Sequence, residues 1–399
     1  MVFWFAAALV VLAAAALAAG LYQRNVHLWI AGHTRRAVAL AWAGTRRHPG
    51  PTHLMFLFVD HYEPLAAGAD DALGRRRVQR WLDDYPRLAG KFTDADGCHP
   101  KHSFFYPEEE YRAEYLDMLG QLCSDGFGEV EVHLHHDNDT AAGLTHKLQG
   151  FVATLHQRHG MLPFHEGRPR FGFIHGNWAL DNSRCDGRWC GVNNELKVLA
   201  DNGCYADFTL PSAPNDTQTS TVNSIYYAVD DVARPKSHDK GAAVVAGRPG
   251  SGDLLIFQGP LTLNWKRRRL GLWPKTENAD IEPHEVPVAE RLRLWVRQWV
   301  HVKGRPEWVF VKVHTHGAIE RNADWIFGGE CERLFETLDG HYNDGKRFVL
   351  HYVSAREAYN IVKAAEAGKT GDPGAYRDFL LPAPPHLQVS PREAARSTA

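Results

Sequence analysis

The chain has 399 residues, of which 44% are hydrophobic and 23% charged, and its formal net charge is −2 at pH 7. This length allows one large or two ordinary domains, and the composition is that of a globular protein. Because Lys+Arg and Asp+Glu are nearly equal in number, nothing indicates a nucleic-acid partner. The 23 histidines are the unusual count, since imidazoles bind metals and move protons near neutral pH.

The first segment, residues 1–22, is predicted to be a transmembrane anchor. Residues 2–22 carry no charge, and about 20 apolar residues can span a bilayer as a helix. A cleaved secretory signal is the alternative, but no Lys or Arg precedes the apolar run. Residues 23–50 are basic, which favours a cytoplasmic C-terminal side and allows this segment to lie along the membrane surface. The sequence therefore predicts a single-pass protein of the inner (cytoplasmic) membrane with a cytoplasmic catalytic domain.

Strand-like and helix-like stretches alternate over residues 51–363, which are predicted to form one catalytic domain. This alternation favours a parallel α/β sheet or barrel. Residues 216–285 are rich in turn formers and charges and are predicted to be an irregular insertion or hairpin segment. Residues 364–399 are predicted to be a partly disordered tail. The strands are predicted at 54–59, 102–106, 129–135, 170–175, 309–314 and 347–352, and the main helices at 75–92, 108–123 and 140–159.

Four of the predicted strands end in histidine and other polar residues. In parallel α/β folds, ligands bind at the carboxyl ends of the strands. His133 and His135 are two residues apart on one strand, so their side chains project to the same side, and Asp137 lies one further step along. Imidazole and carboxylate ligands suit zinc and similar divalent ions, so a metal site is predicted here. The strand ends are Asp60-His61-Tyr62-Glu63-Pro64, His133-Leu134-His135-His136-Asp137-Asn138-Asp139, His175-Gly176-Asn177-Trp178 and His314-Thr315-His316-Gly317.

The order of these motifs resembles the polysaccharide deacetylase family, the NodB-homology domain of carbohydrate esterase family 4. Ser103-Phe104-Phe105-Tyr106 matches the second strand of that family, and Val311-Lys312-Val313-His314 matches a late strand that ends in a histidine. The resemblance implies a distorted (β/α) barrel, preceded here by the transmembrane helix. It departs at His61, where the family has a second aspartate, and at Asp137, where the family has a histidine.

The resemblance implies a zinc-dependent deacetylase that removes acetyl groups from an N-acetylated sugar of a cell-surface polysaccharide or glycolipid, as in lipopolysaccharide biosynthesis. Asp60 would be the general base, or a ligand itself, and His314 would protonate the leaving amine. The metal would be held by His61, His133 and either His135 or Asp137. The substrate would be bound by His175, Asn177, Trp178, Asp207 and His316.

Two other functions remain open from the sequence. The strand-end carboxylates could cleave a glycosidic bond, with Asp60 paired either with Asp207 or with Asp137. The domain could instead bind glycans or act as a scaffold without catalysis. Cys185 and Cys190 are close enough in sequence to form a disulfide, but free thiols are an equally good interpretation.

Overall fold

The computed structural model describes residues 4, 15–42, 44, 48–271, 273–283 and 288–388. The helices are α1 (Val26–Trp42), α2 (Asp71–Ala89), α3 (Ala113–Leu122), α4 (Ala141–Ala153), α5 (Glu195–Asp201), α6 (Val288–Arg297), α7 (Glu320–Trp325), α8 (Cys331–Tyr342), α9 (Ala355–Glu366) and α10 (Pro385–Gln388). The strands are β1 (Thr52–His61), β2 (His102–Pro107), β3 (Gly128–Leu134), β4 (Phe164–His165), β5 (Arg168–Pro169), β6 (Phe171–His175), β7 (Cys204–Asp207), β8 (Ile225–Ala228), β9 (Ala242–Ala243), β10 (Leu254–Phe257), β11 (Thr262–Arg269), β12 (Trp273–Glu277), β13 (Trp308–Thr315) and β14 (Phe348–Tyr352).

The main sheet is mixed but dominated by parallel strands, in the order β13-β1-β2-β3-β6-β7-β10-β8-β9, with β14 also paired to β1. The ladders from β13 to β10 are parallel, and those of β10 with β8 and of β8 with β9 are antiparallel. Isolated backbone bridges of Val245 with Lys303 and of Val300 with Phe310 connect the β9 end of the sheet to β13. The predicted fold class, a NodB-type barrel preceded by a transmembrane helix, is wrong: the structure is a mixed α/β fold with a parallel-dominated sheet, and none of its described helices can span a membrane.

Both faces of the sheet are covered, as parallel sheets require. Leu54, Phe56 and Phe58 of β1 pack in a core with the outer helices, whereas Met55 and Leu57 lie on the other side. That other side is filled by α9, nearly all of whose residues are buried. A capping box of Ser354 and Glu357 begins this helix, which satisfies two of its free backbone donors.

Strand β3 places polar side chains, rather than apolar ones, on the α9 side of the sheet. Val130 and Val132 face the outer helices, and the alternate residues Glu129, Glu131 and His133 are buried on the other face. Glu131 accepts hydrogen bonds from the Tyr205 hydroxyl and the Gly172 backbone N–H, and burial raises the pKa of Glu131 to about 8. Although its residues alternate between polar and apolar, β3 is buried on both faces of the sheet. This is possible because each buried polar group has a hydrogen-bond partner.

The structure contradicts the predicted membrane anchor. Within the described residues, no helix has both the length and the apolar character that crossing a bilayer requires. Residues 1–3 and 5–14 of the predicted anchor lie outside the described residues. The single-pass, inner-membrane localisation is therefore not supported.

Helix α1, which lies in the predicted basic juxtamembrane segment, packs one face against the rest of the domain. Trp29 is fully buried in a small core with Val26, Val222 and Leu261. Gly32 permits this close packing, since a Cβ there would lie 2.0 Å from the Ser220 carbonyl oxygen. The amphipathic pattern of this segment reflects packing against the domain.

Residues 216–285, predicted to be irregular, contain β8 to β12, of which β11 and β12 form an antiparallel hairpin. The six cysteines are free, so Cys185 and Cys190 do not form a disulfide. Part of the predicted disordered tail, residues 373–376 and 385–388, is helical, and residues 389–399 lie outside the described residues.

We predict that Arg356→Met destabilises the fold by about 3 to 5 kcal/mol, as expected when one partner of a buried ion pair is removed. The Arg356 guanidinium donates two hydrogen bonds of 2.8 Å to Glu129, and both side chains are buried. Urea unfolding would measure the loss. The matched control is Arg75→Met, which breaks the exposed Arg75–Glu114 pair and should cost about 0 to 1 kcal/mol. Equal losses in the two variants would contradict the prediction.

Candidate functional site

Five side chains meet at the carboxyl ends of the parallel strands and form what we call the Glu63 cluster. His61 ends β1 and Glu63 follows it, His133 lies near the end of β3, and His135 and His316 follow β3 and β13. Ligand atoms of Glu63, His133 and His135 lie within 4.8 Å of one another, as do those of His61, Glu63 and His316. Glu63 belongs to both groups, so it lies at the centre of the cluster.

The imidazoles of the cluster are oriented by acceptors behind them. The His133 Nδ1–H donates to the Ile174 carbonyl oxygen at 2.7 Å, and the His135 Nδ1–H donates to Glu109 Oε1 at 2.5 Å. Each ring therefore turns its Nε2 atom toward Glu63 Oε1, at 3.1 Å for His133 and 3.5 Å for His135. His316 follows the same pattern, with Nδ1 3.4 Å from Glu282 Oε1. An imidazole whose Nδ1 is held by a carbonyl or carboxylate presents Nε2 as a metal ligand.

Burial and mutual charge set the protonation of the cluster. Burial, with neighbouring histidines, lowers the pKa of His61 well below its ordinary value. Burial alone would raise the pKa of Glu63, but the His133 hydrogen bond and charge outweigh it and lower that pKa. Burial would lower the pKa of His135 and of His316, but the carboxylates of Glu109, Glu282 and Glu63 raise both. The cluster thus combines a carboxylate with imidazoles, the donors that divalent transition metals accept.

One side of the cluster opens to solvent. The His133 side chain is fully buried, whereas the side chains of His135 and Glu282 are 32% and 35% exposed. The indole ring of Trp178 borders this opening, with its centroid 5.5 Å from the His61 ring and 5.6 Å from the His316 ring. A ligand can therefore reach the cluster beside an aromatic face.

Asp60, predicted as the general base, lies beneath the cluster and is fully buried. Its Oδ2 accepts from His102 Nε2 at 2.7 Å, and its Oδ1 accepts from the Gly317 backbone N–H at 2.7 Å. Both carboxylate oxygens are thus engaged in fixing β2 and the turn after β13. In this structure Asp60 positions the residues around it.

The other predicted residues divide between the cluster and its surroundings. His314, the predicted acid, is buried on β13, and burial lowers its pKa to about 4. The Asp137 carboxylate accepts from the Trp189 backbone N–H at 2.6 Å, and it is absent from the groups of potential metal ligands in the described chain. Asp207 is buried and bonded to Thr209 through both oxygens. Neither predicted pair, Asp60 with Asp207 or Asp60 with Asp137, therefore has two carboxyl groups that are free of hydrogen bonds.

His175, predicted to bind substrate, is fully buried and lies in a separate cluster with His136, Cys190 and Glu195. Asn177 lies in the turn after β6, where its φ of 55° is in the left-handed region. Of the residues predicted to bind substrate, Trp178 and His316 are the two that border the Glu63 cluster.

Sequence reasoning missed the carboxylates of the site. Glu63 comes two residues after β1, Glu109 lies in the turn after β2, and Glu282 precedes α6. The run Glu108-Glu109-Glu110 has the sequence pattern of a solvated acidic face, although its place directly after a predicted strand is the same signal that identified the histidines. Glu282 comes from the segment interpreted as irregular, where the sequence carries no such signal.

No family model and no curated protein matches the chain. Among solved structures, the chain is similar to a GH57 branching enzyme from the hyperthermophilic archaeon Thermococcus kodakaraensis, crystallised in complex with glucose. The sequences are 12% identical, the match covers 72% of this chain and 68% of that chain, and the TM-score is 0.32.

These comparisons correct the predicted family and activity. No model of a polysaccharide deacetylase family matches the chain, and no curated protein of that family does. The resemblance to the NodB-homology domain is therefore wrong, and the function inferred from it, a metal-dependent deacetylase that cleaves C–N bonds in envelope or lipopolysaccharide assembly, is withdrawn. The physical reason for the error is that strand-end Asp and His residues occur in many parallel α/β folds, because that edge is where such sheets bind ligands.

We predict that Gly317→Ala destabilises the fold by about 1 to 3 kcal/mol, the usual cost of overpacking. A Cβ at this position would lie 2.3 Å from Asp60 Oδ2 and 2.6 Å from the Trp81 ring, so the turn that carries His316 must shift. Urea unfolding would measure the loss. Gly328→Ala is the control, since nothing lies within 4 Å of its added Cβ, and it should be close to neutral. If Gly317→Ala left the free energy of unfolding unchanged, the turn would be able to shift without cost, which would contradict the prediction.

Proposed function

We propose that the Glu63 cluster binds one divalent transition-metal ion of the zinc type and that the chain hydrolyses a glycosidic bond of a carbohydrate at this site. The observation that carries the proposal is the convergence of imidazole Nε2 atoms on one buried carboxylate, with their Nδ1 atoms held by fixed acceptors. Rings oriented in this way meet the requirements of a metal site before any ion is bound.

A bound divalent ion would supply Lewis acidity and lower the pKa of a water or sugar hydroxyl on it. His133, His135 and Glu63 are the proposed ligands, with His61 and His316 completing the set from the other side. Glu109 and Glu282 orient His135 and His316. Asp60 holds the turn that carries His316. Trp178 offers a flat aromatic face beside the cluster, suited to stacking against a sugar ring.

Glu110 is the proposed general acid for the leaving oxygen. Burial, with the nearby charges of Glu63 and Glu109, raises its pKa to about 7. Its Oε2 accepts from the Leu65 backbone N–H at 2.6 Å, which holds the carboxyl group in place. Glu63 has its pKa lowered, so two neighbouring carboxyl groups are driven to opposite protonation states. A protonated Glu110 would supply the acid that glycoside hydrolysis requires, while Glu63 stays ionised as a metal ligand.

We predict that the full chain, purified without chelators, contains metal at the Glu63 cluster and that His133→Ala removes it. His133 Nε2 lies 3.1 Å from Glu63 Oε1 on the buried side of the cluster, so its loss opens the ligand set there and weakens the binding of the ion. Glu109→Gln keeps the ligands but weakens the hydrogen bond that orients the His135 ring, and should lower the affinity for the metal ion about 10- to 100-fold. Elemental analysis and competition with a colorimetric chelator would measure both effects.

The matched control for metal binding is His146→Ala, which removes an exposed histidine of α4 and should leave metal content unchanged. Metal retained in full by His133→Ala would contradict the proposed ligand set. Metal present without any turnover of oligosaccharides would favour the glycan-binding or scaffold function instead.

We predict that the rate of oligosaccharide hydrolysis falls as pH rises through about 7. Glu110 must carry its proton to act as an acid, and it loses that proton above its pKa of about 7, so the rate should fall about tenfold per pH unit at higher pH. Glu110→Gln keeps the acceptor for Leu65 but has no proton to transfer, and should reduce the rate by about 10²- to 10⁴-fold.

Release of reducing ends from oligosaccharides, followed as a function of pH, would measure this. Nitrophenyl glycosides are the control substrates, since their leaving group departs without a proton, so Glu110→Gln should affect them far less. If the rate of the Glu110→Gln variant still fell in the same way at alkaline pH, Glu110 would not be the general acid.

A further inference from the structure

A second group of potential metal ligands lies in the interior and takes no part in the proposed reaction. It consists of His136, His175, Cys190 and Glu195, which we call the Cys190 cluster. Their ligand atoms lie within 4.8 Å of one another, and the four residues are buried. His136 lies two residues after the end of β3, so the histidine-rich end of this strand contributes His133 and His135 to one cluster and His136 to the other.

The two imidazoles of the Cys190 cluster face one carboxylate oxygen. The His175 Nδ1–H donates to the Gly176 carbonyl oxygen at 2.5 Å, so His175 Nε2 carries a lone pair. That Nε2 atom is buried without a hydrogen-bond partner and lies 3.4 Å from Glu195 Oε1. His136 Nε2 lies 3.0 Å from the same oxygen. A lone pair that faces a carboxylate in a buried site is unfavourable unless a cation lies between them.

The sulfur of Cys190 is surrounded by backbone donors, as metal-bound thiolates are. Its Sγ accepts from the backbone N–H groups of Asn182 and Val192, at 3.3 and 3.4 Å, and without a metal ion the thiol donates to Glu195 Oε2 at 3.4 Å. The Asp181 backbone N–H donates to that Glu195 oxygen at 2.5 Å. These backbone donors would stabilise negative charge on the sulfur and on the carboxylate once a cation takes the place of the thiol proton.

We propose that the Cys190 cluster is a structural site for a divalent transition-metal ion of the zinc type, with His136, His175, Cys190 and Glu195 as its four ligands. One thiolate and one carboxylate balance the two charges of the ion, so the filled site is neutral, as a buried site requires. Tetrahedral zinc with bonds of about 2.0 to 2.3 Å separates its ligand atoms by about 3.3 to 3.8 Å. The distances of 3.0 and 3.4 Å from Glu195 Oε1 to the two imidazole Nε2 atoms need little change to accept it. Four protein ligands leave no position open for substrate, which marks the site as structural.

The ion would fix the irregular segment between β6 and α5, residues 176–194. This segment holds several non-glycine residues with positive φ, namely Asn177, Trp178, Asp181, Asn182 and Trp189, a conformation that costs free energy at each position. His175 and Glu195 stand at its two ends and Cys190 lies within it. A metal ion bound by these residues would therefore restrain the segment that places Trp178 beside the Glu63 cluster.

Cobalt(II) binding to the full chain tests the proposal, because a cobalt–thiolate bond gives a charge-transfer band in the near ultraviolet. The Glu63 cluster contains no sulfur, so ions bound there produce no such band. We expect one metal equivalent with the band in the wild-type protein, and we expect His133→Ala to keep it. The control Cys185→Ser changes an exposed cysteine of the same segment and should also keep the band.

Cys190→Ser should lose the band together with one equivalent of zinc by elemental analysis. If this variant does not fold, the wild-type protein still decides the matter. Zinc should then protect one thiol from a disulfide reagent in the native protein, and removing the zinc should expose that thiol. Cobalt bound without the band, or thiol reactivity independent of zinc, would overturn the proposal and leave a metal-free network of hydrogen bonds. Either result leaves the proposed function intact, since that depends on the His133 variant.

Discussion

Parallel pairing of β1 with its neighbours is the constraint on which the whole site depends. In the observed register, Val59 lies beside His314 and Asp60 beside Phe104, while Pro107 lies beside His133. Strand ends that are far apart in the sequence are therefore level with one another at a single edge. Asp60 then links the strands at this edge, because it accepts hydrogen bonds from His102 on β2 and from the Gly317 backbone N–H in the turn that carries His316.

The second requirement is orientation, which the strands alone do not supply. His133 is oriented by a carbonyl of the neighbouring strand, but His135 and His316 are oriented by carboxylates from loops. The same division appears at the Cys190 cluster, where β6 places His175 and an irregular loop provides Cys190. In both places the sheet provides position, and the loops provide charge and hydrogen-bond partners.

This division explains how far the sequence could be interpreted. The strands were predicted because their apolar runs are short and bounded, and four histidines were found because they follow such runs. Glu109 was missed because an exposed acidic run and a buried acid have the same sequence pattern, and Glu63 because Asp60 and His61, directly before it, match the expected motif. Cys190 and Glu195 were missed because nothing periodic links an irregular loop to the start of α5. The anchor and the NodB-type family were wrong because apolar content and motif order were given more weight than packing, which the sequence does not display.

The burial of Trp29 has a consequence for how the protein should be produced. Its indole fills a recess formed by Ala213, Val222 and Leu261, and the Arg36 guanidinium, buried nearby, donates to the Trp299 carbonyl oxygen at 2.9 Å. A shortened chain that begins near Pro51 would leave this recess open and expose an apolar surface to water. Such a fragment would be prone to aggregation, and its poor behaviour would mimic that of a membrane protein stripped of its lipid, for a reason that has nothing to do with a bilayer.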